Sequence, residues 1–99
     1  MIEGLVAGRL YGDCEQRIDK TGRPFVVAKV RANTAEADLL FVNVIAFEAS
    51  VCGALVPLRD GDSVALAGSL TPRVWTDKQG MARPALDMVA HRMLTLDRD

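Results

Sequence analysis

The chain has 99 residues, of which 49% are hydrophobic and 25% are charged, and its formal net charge at pH 7 is -1. This length accommodates one compact domain with its own core, so we treat residues 1–99 as a single domain. Polar and charged residues interrupt every apolar stretch before the roughly 20 residues that a membrane span needs. Because the charges balance, any nucleic-acid partner must be inferred from where the cations lie.

The N-terminus and the cysteines both favour a cytoplasmic protein. Glu3 lies where a secretory signal carries basic residues, and no apolar core of signal length follows it. Cys14 and Cys52 are too few for a disulfide framework, and neither lies at metal-ligand spacing from a second Cys or a His. We therefore expect two reduced thiols, no bound metal and no membrane segment.

Alternating apolar and polar residues predict three strands in the first half of the chain. The predicted strands run from Ile2 to Tyr11, from Phe25 to Arg31 and from Leu39 to Phe47. Glycines in the first strand indicate a strong bend, and turn residues before the second strand predict that it pairs with the first as a hairpin. A short polar turn from Asn33 to Asp38 leads into the third strand.

The second half of the chain predicts a helix and two more strands. Small residues without alternation favour a short helix from Glu48 to Leu55. Alternation resumes from Ser63 to Leu70 as strand four, and a hairpin with its tip at Thr76 to Gly80 leads into strand five. The inward residues of strand five are Leu86, Met88 and Ala90. Five strands with a helix between the third and fourth is the order of an OB-fold, an all-β Greek-key barrel.

The sequence contains no motif of a known catalytic chemistry. No Gly-rich phosphate loop, Ser/His/Asp arrangement or carboxylate pair occurs at a recognisable spacing. The single histidine, His91, lies opposite the core-facing residues of strand five, with only Asp87 and Asp97 as candidate carboxylates. We therefore expect a surface histidine and a protein that is not an enzyme.

Strand three carries aromatic residues on the face that does not supply the core. The residues that alternate toward the core are Val42, Val44 and Ala46. Those on the opposite face are Phe41, Asn43, Ile45 and Phe47. Aromatic rings on an exposed sheet face mark a surface that something covers, either a partner protein or stacked bases. The alternative is a curved sheet in which Phe41 and Phe47 cap the barrel or fill a subunit interface.

Cations accompany these rings on the neighbouring strands. The positions that alternate away from the core hold Lys29 and Arg31 in strand two, and Arg9 and Tyr11 in strand one. Stacking contributes about 1 to 3 kcal/mol per base whatever the sequence, and Lys and Arg neutralise phosphates. Such a surface suits single-stranded nucleic acid.

A second set of candidate residues lies on the hairpin between strands four and five. Trp75 stands between Arg73 and Lys78 on one arm, and Arg83 lies on the other. A protruding arm of this kind can close over a bound strand. The alternative is that Trp75 packs on the barrel and the charges are solvated.

The longest run of motif positions lies between Leu58 and Arg83. It reads Leu58-x-x-Gly61-Asp62-x-Val64-x-Leu66-x-Gly68-x-Leu70-x-x-Arg73-x-Trp75-x-Asp77-x-x-Gly80-x-x-Arg83 and resembles the signature of bacterial-type single-stranded DNA-binding proteins. The segment from Phe41 to Phe47 resembles the family's third strand, in which two base-stacking aromatics lie six residues apart. The resemblance covers the chain from about Leu5 to Leu94.

This resemblance implies a fold, a partner and a set of contact residues. Phe41, Phe47 and Trp75 would stack on bases, and Arg73 would lie beside the strand. Further contacts, supported mainly by parity and charge, are Arg9, Lys29, Arg31, Lys78 and Arg83. The family forms OB barrels that usually assemble into homotetramers through first-strand pairing and sheet packing, uses no metal or cofactor, and protects single-stranded DNA in replication, recombination or repair. We therefore expect single-stranded DNA as the partner and a homo-oligomer, either a tetramer or a dimer.

The sequence departs from the family pattern in ways that lower the expected affinity. Ala49 and Asp60 stand where family members often carry lysines, and the turn from Asn33 to Asp38 lacks a further tryptophan. The chain ends at Asp99 without the acidic tip that recruits replication enzymes, so we expect no such recruitment, as in a mobile-element version or a specialised paralogue. The alternative is a primosomal-type OB-fold interaction module with weak nucleic-acid binding.

Overall fold

Six strands and one helix follow one another in the computed structural model, which describes residues 2–33, 35 and 39–94. The strands are β1 (Ile2–Leu10), β2 (Glu15–Ile18), β3 (Pro24–Asn33), β4 (Leu39–Ala46), β5 (Ser63–Thr76) and β6 (Ala82–Leu94). The helix, α1 (Ala49–Leu55), lies between β4 and β5. Within the described ranges, no helix has the length and apolar character needed to cross a membrane.

Five of these strands close into a barrel. The sheet runs in the order β1-β5-β6-β4-β3-β2, and an additional pairing of β1 with β3 completes the ring. Neighbouring strands are antiparallel except β4 and β6, which are parallel. A five-stranded Greek-key barrel with a helix between its third and fourth strands is an OB-fold, so the predicted fold class is confirmed.

The strand β2 lies outside the ring and was not predicted. Its four residues are all exposed and show no alternation, so the sequence carried no strand signal there. A tight turn joins it to β3, in which the Asp19 carboxylate accepts hydrogen bonds from the backbone N–H groups of Thr21 and Arg23, both at 2.9 Å. The prediction that the first two barrel strands form a direct hairpin was therefore wrong. β2 intervenes along the chain, and β1 pairs with β3 over only two residue pairs.

The barrel interior is filled by the residues that alternation directed inward. The buried side chains from the strands include Leu10, Val26, Val30, Val42, Val44, Ala46, Val64, Leu66, Met88 and Ala90. The helix α1 packs against β3 and β6 and adds Val51 and Leu55 to this core. The predicted inward positions of strands three and five are confirmed, although Leu86 is only partly buried.

Two glycines allow close backbone approach where the strands change partner. β1 turns from β5 toward β3 beside Gly8, and a Cβ at this position would overlap the carbonyl oxygen of Arg31. Gly68 lies at a register shift between β5 and β6, where a Cβ would overlap the carbonyl oxygen of Val89. The change of partner beside Gly8 agrees with the bend predicted for the first strand.

The remaining predicted boundaries differ from the structure by a few residues. Tyr11 and Phe47 lie one position beyond the ends of β1 and β4. The turn predicted from Asn33 to Asp38 lies mostly outside the described residues, and its first residue is the last residue of β3. Asn33 pairs there with Leu39 of β4, so the two strands are aligned up to this turn.

Candidate nucleic-acid interface

The candidate site occupies the outer face of the barrel over β3, β4 and β6. Three rows of residues cross these strands in register. From β3 through β4 to β6, the rows are Arg31, Phe41 and Ala85; Lys29, Asn43 and Asp87; and Val27, Ile45 and Val89. Charged and aromatic side chains therefore gather at one end of this face, and aliphatic side chains at the other.

An aromatic pair stands at the charged end of the face. The ring centroids of Tyr11 and Phe41 are 5.4 Å apart, and the ring planes meet at 69°. Lys29 Nζ lies 6.0 Å from the Phe41 centroid, and the guanidinium carbon of Arg31 lies 5.3 Å from the Tyr11 centroid. Both distances are within the range of cation–π attraction. Each ring is thus accompanied by a cation.

Trp75 shares a groove with this aromatic pair. The groove has a volume of about 510 Å³, and its lining includes Tyr11, Lys29, Phe41, Arg73 and Trp75. Trp75 is 45% exposed and lies at the end of β5, where every side chain from Thr71 to Thr76 is exposed. The indole therefore lies outside the barrel core, and three aromatic side chains meet two cations in one groove.

A second groove extends this one along β4. Its volume is about 590 Å³, and it shares Lys29, Asn43, Arg73 and Asp87 with the groove beside Trp75. Ile45 and aliphatic residues of β3 and β6 line its far end. The two grooves form one continuous path across the outer face.

Phe47 lies beyond the end of this path. It follows Phe41 by six residues, which places it about 20 Å farther along the strand direction. Its side chain is 53% exposed, and its ring centroid lies 5.9 Å from that of Phe25. It lines a separate groove beside α1. The structure thus brings Phe41 and Trp75 together and leaves Phe47 apart from them.

Several of the predicted cations are held by acceptors in the protein. Arg73 Nε lies 2.6 Å from Asp87 Oδ2, and Arg83 Nε lies 3.0 Å from Asp77 Oδ2. Arg9 donates to a backbone carbonyl at 3.0 Å. In the part of the chain that the structure describes, the predicted cations without an ion pair are Arg9, Lys29, Arg31 and Lys78. Among the described residues, therefore, Lys29 and Arg31, which flank the aromatic pair, have no acidic partner.

Asp77 organises the tip of the hairpin that carries Trp75. Its carboxylate accepts hydrogen bonds from the backbone N–H groups of Gln79 and Met81, both at 2.9 Å, and from Arg83 Nε. These contacts, with the Met81 N–H the largest, hold the pKa of Asp77 below its ordinary value. Arg83 is the cross-strand partner of Trp75. The Asp77 carboxylate therefore fixes both the turn and the residue beside the indole.

Sequence reasoning missed part of this surface. Alternation placed Tyr11 on the outward face with Arg9, but no base contact was assigned to it. Phe25 has the outward parity of Lys29, so alternation could have identified this ring as a candidate as well. Asp87 gave no such signal, because its contact with Arg73 depends on the register of the β5–β6 hairpin and its contact with Asn43 depends on β4 lying beside β6. His91 is exposed, as predicted.

Solved structures of single-stranded DNA-binding proteins have the same fold. The small single-stranded DNA-binding protein of Streptomyces coelicolor is similar with a TM-score of 0.72 and 23% identity, over 93% of this chain and 91% of that chain. The mitochondrial single-stranded DNA-binding protein of S. cerevisiae has a TM-score of 0.72 and 13% identity, over 99% and 97%. The Plasmodium falciparum protein, solved in complex with single-stranded DNA, has a TM-score of 0.72 and 14% identity, over 98% and 96%.

These similarities establish the type of barrel. The chain has the OB-fold found in single-stranded DNA-binding proteins, and the likeness extends over nearly its whole length. No protein-family model and no curated protein matches the sequence.

Proposed function

We propose that this protein binds single-stranded DNA without sequence preference. The observation that carries the proposal is the groove in which Tyr11, Phe41 and Trp75 converge with Lys29. Stacking on such rings accepts every base and contributes about 1 to 3 kcal/mol per base. Bases in a duplex already stack on one another, so this surface selects unpaired strands.

The bound strand follows the continuous path from Trp75 along β4 toward Phe47. Lys29 and Arg31 lie beside the aromatic pair and neutralise phosphates there. Arg73 lies midway along the path. Contacts at the margins of the path are assigned to Arg9, Lys78 and Arg83. Local clustering of cations supports this binding although the chain as a whole carries a net charge of -1.

The chain is also proposed to assemble with copies of itself through β1. One edge of this strand pairs with β5 along its length, whereas the other pairs with β3 only at Arg9 and Leu10. The second edge therefore offers unpaired backbone groups to another strand. Ile2 and Leu5, on the same strand, are each 55% exposed. Pairing with a second copy would cover this strand and form a dimer, and further sheet packing would form a tetramer.

The biological role follows from the proposed binding. A protein that covers unpaired strands protects them and suppresses their pairing during replication, recombination or repair, including that of a mobile element in the cytoplasm. Stacking and phosphate neutralisation require neither a metal nor a cofactor, and they involve no catalytic step.

Titration of the single tryptophan tests this proposal. Trp75 fluorescence should be quenched by oligo-dT of about 16 nucleotides, the upper end of the site size of one OB-fold. The logarithm of the affinity should fall with the logarithm of salt concentration by about 0.7 for each phosphate contacted. A duplex of the same length should bind far more weakly. Unchanged fluorescence at low salt, with no retardation of the oligonucleotide in a gel, would overturn the proposal.

A further inference from the structure

We propose that Arg73 and Asp87 act together as a contact for base edges, whereas Lys29 and Arg31 hold the phosphates. This inference rests on the proposed function and divides the binding surface into two parts. The Asp87 carboxylate becomes part of the site. Arg73 contacts base edges and not phosphates, although its charge alone would suggest a phosphate contact.

The pair lies at the midpoint of the binding path. Arg73 Nε is 2.6 Å from Asp87 Oδ2, and Asn43 Nδ2 donates to Asp87 Oδ1 at 3.2 Å. Both members of the pair line both grooves. Their side chains are 62% and 38% exposed, so a strand lying in the path reaches them without displacement of the core.

The charge of the pair argues against a phosphate contact. Asp87 neutralises Arg73, and an exposed carboxylate repels a phosphate that approaches the same point. Lys29 and Arg31 on β3 form no ion pair within the described ranges. Phosphates therefore lie along the β3 side of the path, and the base of each nucleotide lies toward β6.

The width of the sheet fits this orientation. Lys29, Asn43 and Asp87 form one row across β3, β4 and β6. With an inter-strand spacing of about 4.8 Å, the first and last positions of the row are about 10 Å apart. A nucleotide spans such a distance, with its phosphate at Lys29 and its base edge at Asp87.

The chemistry of the pair suits every base. Arg73 uses Nε in the ion pair, which leaves its Nη N–H groups to donate, and the Asp87 oxygens retain lone pairs to accept. Each Watson–Crick edge carries an acceptor beside a donor, as in N3 and the N4 amino group of cytosine or O4 and N3–H of thymine. The donor of Arg73 and the acceptor of Asp87 can therefore bind the edge of any base. This agrees with binding that is independent of sequence.

The salt dependence of oligo-dT binding distinguishes the two kinds of contact. The double variant Arg73→Ala/Asp87→Ala removes the pair without a change in net charge, so it should weaken binding about tenfold, the worth of a charge-assisted hydrogen bond, and leave the salt slope unchanged. Lys29→Ala, the matched control, should flatten the slope by about 0.7, because one phosphate contact is lost. Asp87→Asn should steepen the slope by a similar amount, because it frees the charge of Arg73. A folded fraction that is constant across the salt series shifts the affinity and not the slope, so circular dichroism at each salt concentration is the control for a destabilised variant.

A modified ligand provides a second test with the unaltered protein. Oligo-N3-methyl-dT keeps the ring and the phosphates but blocks the donor of the base edge. It should bind the natural chain severalfold more weakly than oligo-dT, and the Arg73→Ala/Asp87→Ala variant, which lacks the acceptor for N3–H, should not distinguish the two ligands. Equal flattening of the salt slope by Arg73→Ala/Asp87→Ala and Lys29→Ala would overturn the inference while leaving the proposed function intact. A natural chain that binds no oligo-dT would instead overturn the proposed function.

Discussion

The ring of Tyr11 meets the ring of Phe41 edge-on, with 5.4 Å between the centroids, although β1 and β4 are not neighbours in the sheet. The contact exists because β1 turns away from β5 and pairs with β3, which brings its last residues beside the start of β4. Closure of the barrel thus builds the aromatic end of the binding path. The same closure sets Arg31 over Tyr11.

Loss of the Tyr11 ring should weaken DNA binding. Tyr11→Ala removes one stacking surface and one wall of the groove, so we expect the binding free energy for oligo-dT to fall by about 1 to 3 kcal/mol. Tyr11→Phe, which keeps the ring, should bind as the natural chain does. Titration of Trp75 fluorescence measures both variants, and natural affinity in Tyr11→Ala would contradict a stacking role for this ring.

Gly68 and Gly53 should respond in opposite ways to the same substitution. Gly68→Ala places a methyl group against the carbonyl oxygen of Val89, so we expect a loss of about 1 to 3 kcal/mol in the free energy of unfolding. Gly53→Ala lies in α1 with open space around the new methyl group, and we expect a gain of about 0.5 to 1 kcal/mol. Urea unfolding followed by circular dichroism tests both. Equal stability of the two variants would be inconsistent with close packing at Gly68.

The hairpin tip should loosen in acid. Folding lowers the pKa of Asp77 from its ordinary value of 3.8. The stability that the ionised carboxylate gives the tip is therefore complete above that value, and it is lost as the pH falls through the lower pKa of the folded state. The motion of the tip can be followed by the NMR signals of Gln79 and Met81. Asp77→Asn should show a loosened tip at neutral pH and no acid transition of its own. An unchanged tip in that variant would contradict the role of the carboxylate.

A charge on β1 should prevent assembly. Leu5 is 55% exposed and lies on the strand whose second edge is mostly unpaired. Leu5→Lys would place an ammonium group at the proposed contact between copies, where edge lysines block strand pairing. Sedimentation should show the natural chain as a dimer or tetramer and the variant as a smaller species with the same circular dichroism. Identical masses for the two would exclude this part of β1 from the interface.

Alternation along the strands was enough to predict the barrel and the outward face of β4. Each strand has one buried face, so an alternation with a period of two places Val42 in the core and Phe41 on the outer face. The strand β2 escaped prediction, because an exposed edge strand needs no apolar face. Its pairing is fixed by the Asp19 turn, which the hydrophobic pattern does not contain.

Contacts between distant parts of the chain could not be predicted in the same way. The Arg73 and Asp87 pair requires a particular register of the β5–β6 hairpin, and the contact with Asn43 requires β4 parallel to β6. Asp60, where family members often carry a lysine, accepts a hydrogen bond from the Gly12 N–H at 2.7 Å. This departure therefore has a structural reason, which becomes visible only when the β1–β2 loop and the turn before β5 lie together.

The double variant Phe41→Ala/Phe47→Ala tests the central claim most directly. Its affinity for oligo-dT should be measured at low salt together with its oligomeric mass. We predict that DNA binding is lost while the mass stays that of the natural chain, because both rings lie on the outer face, whereas the proposed contact between copies lies at Ile2 and Leu5 of β1. Dissociation into smaller species, or oligo-dT binding as tight as that of the natural chain, would contradict the assignment of this face to single-stranded DNA.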